Sequence, residues 1–310
     1  MIVDLAIFVV SMAALIKGAD FIIKESEKIA LHFGISEFVI GATLIALGTS
    51  LPEMAASIVA SYHHKSDLAV SNVIGSVSLN ITLVLGTVFL IAKHIVPRRD
   101  IFSKDSAWAL FPIFIFLLVS YDGIISRAEG IIFLFLMGAY LLFLAQEPTI
   151  VAGEVDEEVL QEKFKWLPTI ILLIIGFVMV VYGADFAVQS ASSIARKLGV
   201  SEWIIGLFLV AFGTSLPELV VSIQAAINKK ADMSIGNIIG SNVANFSVVL
   251  GSASIVNPLS VDLKTYGFDI LVAFSASIML VFITATKLYN KSAGIALLTI
   301  LAIFVLNHIP

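Results

Sequence analysis

The strongest constraint in this sequence is an internal duplication. Shifting the chain by 165 residues aligns positions 18–86 with positions 183–251 without a gap, with about 32 identities among the 69 aligned pairs. Gly-Thr-Ser-Leu-Pro-Glu recurs at 48–53 and 213–218, and a Gly-Ser pair followed by Asn recurs about thirty residues later in each copy. Because a repeat of this kind is one structural unit used twice, the two halves should contain the same helices.

The apolar residues are grouped into runs of about twenty, the length that crosses the hydrocarbon core of a bilayer. The chain is 59% hydrophobic and 13% charged, whereas soluble domains carry roughly 25% charged residues. We therefore predict an all-α polytopic membrane protein with ten transmembrane helices. The expected spans are about 2–23, 38–61, 69–91, 106–120, 128–145, 167–188, 203–227, 234–255, 267–285 and 292–308.

Five spans per copy is an odd number, so the second copy should sit upside down relative to the first. Such inverted five-helix repeats occur in many secondary transporters, where the ion sites lie near the midplane between the halves. The expected domains are an N-terminal repeat at 1–145, an acidic connector at 146–166 and a C-terminal inverted repeat at 167–310.

Charged residues in the predicted loops indicate the orientation. Five Lys and Arg residues fall on the side of the N-terminus and twelve on the other side, and cytoplasmic loops carry the excess of positive charge. We expect a cell-membrane protein with both termini outside and the connector in the cytoplasm. The net charge of -5 forms no basic stripe for nucleic acid, no P-loop for nucleotide is present, and no cysteine is available for metal or thiol chemistry. We expect no cofactor and a monomer.

The duplicated Gly-Thr-Ser-Leu-Pro-Glu segment lies near the middle of spans two and seven. Proline inside a helix removes a backbone hydrogen bond, so we expect a helix break that exposes carbonyls such as those of Ala46 and Ala211. Glu53 and Glu218 also fit the last position of a Ser-x-x-Glu capping box. A carboxylate at mid-membrane is costly and usually functional, and this favours cation binding over capping.

Spans three and eight carry a second repeated pair of polar residues. Ser76 and Asn80 are four residues apart, as are Ser241 and Asn245, so each pair lies on one helix face. Such residues often join helices by hydrogen bonds, but their recurrence with the glutamates favours cation ligation. Asn72 and Asn237 also recur, and for these we expect a supporting role. Carboxylate, amide, hydroxyl and carbonyl oxygens together suit calcium or sodium.

These two duplicated motifs resemble those of the sodium/calcium exchanger branch of the calcium/cation antiporter superfamily. The resemblance covers both repeats, most of the chain, and implies exchange of Ca²⁺ for Na⁺ by alternating access, with spans one and six sliding across a fixed core. Potassium-dependent relatives carry Asp at one of the two Asn positions, whereas this chain has Asn at both, and this argues against potassium coupling. The two copies also differ at one position beside these residues, where the first has Val77 and the second has Asn242. The resemblance implies that overlapping calcium and sodium sites are lined by Glu53, Glu218, Thr49, Thr214, Ser50, Ser215, Ser76, Ser241, Asn80 and Asn245.

Two other functions remain open from the residues. A proton/calcium antiporter of the same fold is the nearest alternative, because paired carboxylates also bind protons. A cation channel fits broken helices with opposed carboxylates less well. An enzyme is not expected, because the buried serines lack a mid-span His or Lys to act as general base.

Overall fold

The computed structural model describes residues 1–92, 96–146, 164–199 and 213–308. Eight of the helices in this part of the chain are long and apolar enough to cross a membrane, or nine if one bent pair counts as a single span. The helices are α1 (Ile2–Phe33), α2 (Glu37–Thr49), α3 (Leu51–Tyr62), α4 (Ser66–Ile91), α5 (Ile101–Asp122), α6 (Arg127–Ala145), α7 (Trp166–Lys197), α8 (Leu216–Ile227), α9 (Ala231–Val256), α10 (Gly267–Thr286) and α11 (Lys291–His308).

The expected spans are found wherever the structure describes the chain, and the polytopic all-helical prediction is confirmed to that extent. Span two is the bent pair α2 and α3. The second half of span seven is α8, whereas its first half, with Ala211, lies outside the described residues. Most of the acidic connector at 146–166 also lies outside them.

Helices α1 and α7 are longer than expected, since they continue ten and nine residues past the predicted ends at 23 and 188. A 32-residue helix is about 48 Å long, which exceeds the roughly 30 Å of hydrocarbon. The apolar pattern stops at the charged residues after Ile23, but the helix itself stops only at Gly34, whose positive φ of 67° forms a left-handed C-cap.

One element departs from an all-helical fold. Residues Ile124–Ile125 (β1) pair antiparallel with Leu259–Ser260 (β2), with Ile124 opposite Ser260. Gly123, with a φ of 87°, lets the chain turn out of α5 into this strand. The two-residue ribbon joins the loop after α5 to the loop after α9.

The core is built around α4 and α9. Within their most apolar windows 72% and 83% of the residues are buried, against 22–44% in the other candidate spans. The outer helices expose large apolar side chains, as lipid-facing helices do. Examples are Val10, Phe135, Leu142, Leu167 and Phe282.

Helices α1 and α7 pack along each other through glycine. A Cβ at Gly18 would lie 2.8 Å from the carbonyl oxygen of Gly176, and a Cβ at Gly176 would lie 2.9 Å from that of Gly18. Transmembrane helices often associate by close backbone approach of this type, because the hydrophobic effect does not drive helices together within the lipid. At the N-terminus of α1, Asp4 also pairs with Lys197 at the end of α7.

Candidate functional site

The helix break predicted at Gly-Thr-Ser-Leu-Pro-Glu is present in the first copy. Helix α2 ends at Thr49, α3 begins at Leu51, and the two are bent by 44°. Pro52 falls in the first turn of α3, where its missing N–H would have no intrahelical partner in any case. Ser50 at the junction has φ -83° and ψ 7°, and Ser215 before α8 has nearly the same backbone conformation, φ -84° and ψ 2°.

The capping-box alternative is wrong for both copies. Neither Ser50 nor Ser215 makes a side-chain cap to the helix that follows it. The Ser50 hydroxyl instead donates to Oε1 of Glu218 at 3.1 Å, across 168 positions of sequence. The hydroxyl of one repeat therefore contacts the carboxylate of the other, and both glutamates are left for another role.

Both glutamates are fully buried, at 0% exposure. Neither oxygen of Glu53 has a hydrogen-bond partner among the described residues, and the same holds for Oε2 of Glu218 and Oγ of Ser215. The Glu53 carboxylate lies near that of Glu218 and near the Thr214 hydroxyl. Buried charges in proteins are paired or coordinate metal ions, so these oxygens have the properties of cation ligands.

The two asparagines each mark a change in helix geometry. Helix α4 becomes π-helical over Asn80–Leu85 and α9 over Asn245–Val249. Such wide turns are rare and often occur at functional sites. These turns were not predicted from the sequence. A third π-helical segment, Gly41–Ile45, lies just before the helix break.

The asparagine side chains are buried and only partly hydrogen-bonded. Asn80 donates from Nδ2 to Oδ1 of Asn242 at 3.0 Å, while its own Oδ1 has no partner in the described chain. For Asn245, neither Oδ1 nor Nδ2 has one. Amide oxygens without a donor are, like the carboxylates, suited to a cation.

Hydroxyl and carbonyl oxygens complete the cluster. The expectation that the break exposes the Ala46 carbonyl is wrong, because this carbonyl keeps its helical hydrogen bond from the Ser50 N–H at 3.0 Å. It also accepts from Thr49 Oγ1 at 3.3 Å and, across the halves, from Ser241 Oγ at 3.5 Å. Thr49 also lies near the Glu218 carboxylate. Ser76 is buried at 2% exposure, but no described hydrogen bond of its hydroxyl links it to the cluster.

The supporting role expected for Asn72 and Asn237 agrees with their contacts. Asn72 donates to the Glu53 carbonyl oxygen and to Ser57 Oγ, while Asn237 donates to Ser222 Oγ and accepts from Thr49. The serines were missed by the sequence analysis. Their recurrence at equivalent positions of the two copies could have indicated them.

The donor set fits a hard cation. Among the described residues no group of three or more His, Cys, Asp or Glu is placed to hold a metal ion. The cluster therefore consists of two carboxylates with neutral amide, hydroxyl and carbonyl oxygens, which are the ligands that Ca²⁺ accepts in flexible geometry.

These features define an all-helical, multi-pass membrane protein with a buried oxygen cluster between its two halves. The sequence profile of the sodium/calcium exchanger protein family matches residues 3–146 and 168–309. The chain belongs to this family, as the resemblance of its motifs indicates.

Relatives and solved structures agree with this membership. The chain is 36% identical to an uncharacterised membrane protein of Methanocaldococcus jannaschii over 97% of this chain and 96% of the relative. It is 31% identical to the sodium/calcium exchanger MaX1 of Methanosarcina acetivorans, over 96% of this chain and 95% of the relative. A structure of the sodium-calcium exchanger NCX_Mj soaked with Na⁺ and Ca²⁺ superposes with a TM-score of 0.81 at 34% identity, covering 98% of both chains.

Proposed function

We propose that this protein is a secondary antiporter that exchanges Ca²⁺ for Na⁺ by alternating access at the cluster around Glu53 and Glu218. The observation that carries the proposal is the pair of fully buried carboxylates, one from each repeat. Among the described residues they receive one hydrogen bond, from the Ser50 hydroxyl to Oε1 of Glu218. Family membership supports the same ions, because relatives are named for sodium and calcium exchange. The activity is transport, and we assign no catalytic residue.

The charge of the cluster suggests how the two ions are coupled. Two adjacent carboxylates repel when no cation is present, and their burial adds a desolvation cost. One Ca²⁺ neutralises both, and two or more Na⁺ in overlapping positions do the same. If only the occupied protein changes between its outward-facing and inward-facing states, then movement of one ion drives the other without a covalent intermediate.

We propose that the fold consists of ten spans in two inverted repeats, at 1–145 and 167–310. Several contacts support this. Left-handed residues recur at the 165-residue shift, as Gly34 with Gly199 and His64 with Lys229. Gly86 packs against Gly294 of α11, and its equivalent, Gly251, packs against Gly130 of α6. Helix α4 thus packs on the last span of the second half, as α9 does on the last span of the first.

We further propose that α1 and α7 move together over the core. The glycine contact between Gly18 and Gly176 joins them near their middles, and the Asp4–Lys197 ion pair joins them at one end. Helix α7 also lies against the helix break, because the Phe177 ring occupies the space where a Cβ of Gly48 would project. Sliding of this pair would open and close a path to the cluster.

The Lys and Arg distribution supports an orientation in the cell membrane with both termini outside and the 146–166 connector in the cytoplasm. In this orientation an inward sodium gradient would drive calcium out of the cell. Cysteine substitutions at Ser292 and Asp122, on opposite sides in this arrangement, would test it by labelling intact cells with a membrane-impermeant thiol reagent. Only the variant at Asp122 should react.

The test of exchange uses purified protein in proteoliposomes. Vesicles loaded with Na⁺ and diluted into sodium-free Ca²⁺ buffer should accumulate calcium, whereas vesicles with equal sodium on both sides should not. Uptake that ignores the sodium gradient and collapses with a proton gradient would instead identify a proton/calcium antiporter. Unitary currents in a planar bilayer would identify a channel.

A further inference from the structure

The two site asparagines occupy equivalent positions of the repeat but have different neighbours. Asn80 donates from Nδ2 to Asn242 Oδ1 at 3.0 Å. The position equivalent to Asn242 in the first copy is Val77, whose side chain has no polar atom to offer to Asn245. Accordingly neither amide atom of Asn245 has a partner among the described residues, while Asn80 lacks a partner only at Oδ1.

This difference matters because an amide has two chemically opposite ends. The carbonyl oxygen can coordinate a cation, whereas the NH₂ group is a donor and repels one. A side chain whose NH₂ is held by an acceptor has its oxygen fixed on the other side. An amide without such an acceptor must select its rotamer when the ion binds, which lowers the affinity.

Packing alone does not explain why Asn242 is polar. Asn242 is 5% exposed and Val77 is 1% exposed, so a valine fills the equivalent buried position in the other half. A buried amide is costly unless it is hydrogen-bonded. The preceding residue, Ser241, contacts the Ala46 carbonyl at the helix break, so Asn242 lies beside the candidate site.

We propose that Asn242 is a positioning residue, which holds the Asn80 amide so that its carbonyl oxygen is presented to the transported cation. Asn80 is then the preorganised amide ligand of the pair, and Asn245 is the adaptable one. This proposal rests on the proposed function, since it assumes that the cluster binds Ca²⁺.

The main test replaces Asn242 with the residue of the other repeat. In Asn242→Val the calcium concentration for half-saturation should rise about 10-fold, as is typical when a partner that orients a metal ligand is removed. The maximal exchange rate should stay close to that of the wild type. Asn242→Asp keeps the acceptor and should have a half-saturation concentration equal to or below the wild-type value. Equal weakening in both variants, or none in the valine variant, would overturn the proposal.

A double-mutant cycle establishes whether Asn242 acts through Asn80. Calcium binding is measured by titration calorimetry on detergent-solubilised protein, because this readout does not need transport. In an Asn80→Leu background, Asn242→Val should cause no further loss of affinity. Additive losses would mean that Asn242 acts by another route. Unchanged binding in Asn80→Leu itself would refute the site of the proposed function, which is a different result.

The controls separate positioning from folding. Ser252→Ala, on the same helix, removes a hydroxyl that donates to Val249 of its own helix, and it should bind calcium as the wild type does. Each variant must elute as a single species and unfold cooperatively. If Asn242→Val fails these criteria, Asn242→Ala replaces it, because it removes the same acceptor. The alanine variant should then show the 10-fold rise in half-saturation concentration, and no rise would overturn the proposal.

Discussion

The two halves of the candidate site contain the same residues but not the same contacts. In the first half Ser50 donates to Glu218 and Asn80 is held by Asn242, so both side chains are fixed by residues of the second half. In the second half Ser215 and Asn245 have no such partners in the described chain. The duplication therefore supplies a matched set of oxygens, while the neighbouring residues decide which of them are fixed before an ion binds.

The largest expected effect on transport comes from replacing the glutamate that both halves contribute to the site. Glu53→Gln and Glu218→Gln each remove one of the two buried charges, which should cost about 3 kcal/mol or more in calcium binding, roughly 100-fold. Sodium-driven calcium uptake in proteoliposomes should be lost in both variants. Near-normal uptake in either one would refute the assignment of that carboxylate.

A matched control is available on α6. Glu129 forms a capping box with Ser126, and Gln can serve in the same box. Glu129→Gln should therefore keep uptake at the wild-type level. Its normal behaviour would show that the losses at the candidate site are not a general result of replacing Glu by Gln in this protein.

Much of this arrangement could be predicted from the sequence. The repeated motifs located the break after Thr49 and the buried Glu53 and Glu218, because proline and an intramembrane carboxylate each have few structural explanations. The pairing of Ser50 with Glu218 could not be predicted, since a capping box within four residues fits the local pattern equally well. The deciding contact spans 168 positions.

The π-helical turns were also beyond the sequence analysis. The residues at Asn80–Leu85 are compatible with an ordinary α-helix, and the wider turn depends on packing against other spans. The true length of α1 was missed for a related reason. Hydropathy indicates where a span leaves the lipid, whereas the helix itself continues to the left-handed C-cap at Gly34.

A smaller effect should distinguish the two serines. In the ion-free protein, Ser50→Ala leaves Glu218 without its donor, at a cost of about 2 kcal/mol in the free energy of unfolding. Ser215→Ala removes a hydroxyl that has no partner among the described residues. This substitution should leave the free energy of unfolding nearly unchanged. Thermal unfolding in detergent with a calcium chelator measures both. Equal destabilisation would mean that the halves are not different in the ion-free state.

The smallest effect should separate two equivalent glycines at the contact between α1 and α7. A Cβ at Gly18 would lie 2.8 Å from a backbone carbonyl, whereas a Cβ at Gly183 would meet its nearest neighbours at 3.2 Å. Overpacking costs about 1–3 kcal/mol, and replacing a helical glycine by alanine returns about 1 kcal/mol. Gly18→Ala should therefore be destabilised by about 1 kcal/mol and should exchange more slowly, while Gly183→Ala stays near the wild type. If the order of the two variants in unfolding temperature and exchange rate were reversed, the close contact at Gly18 would not be what limits the approach of these helices.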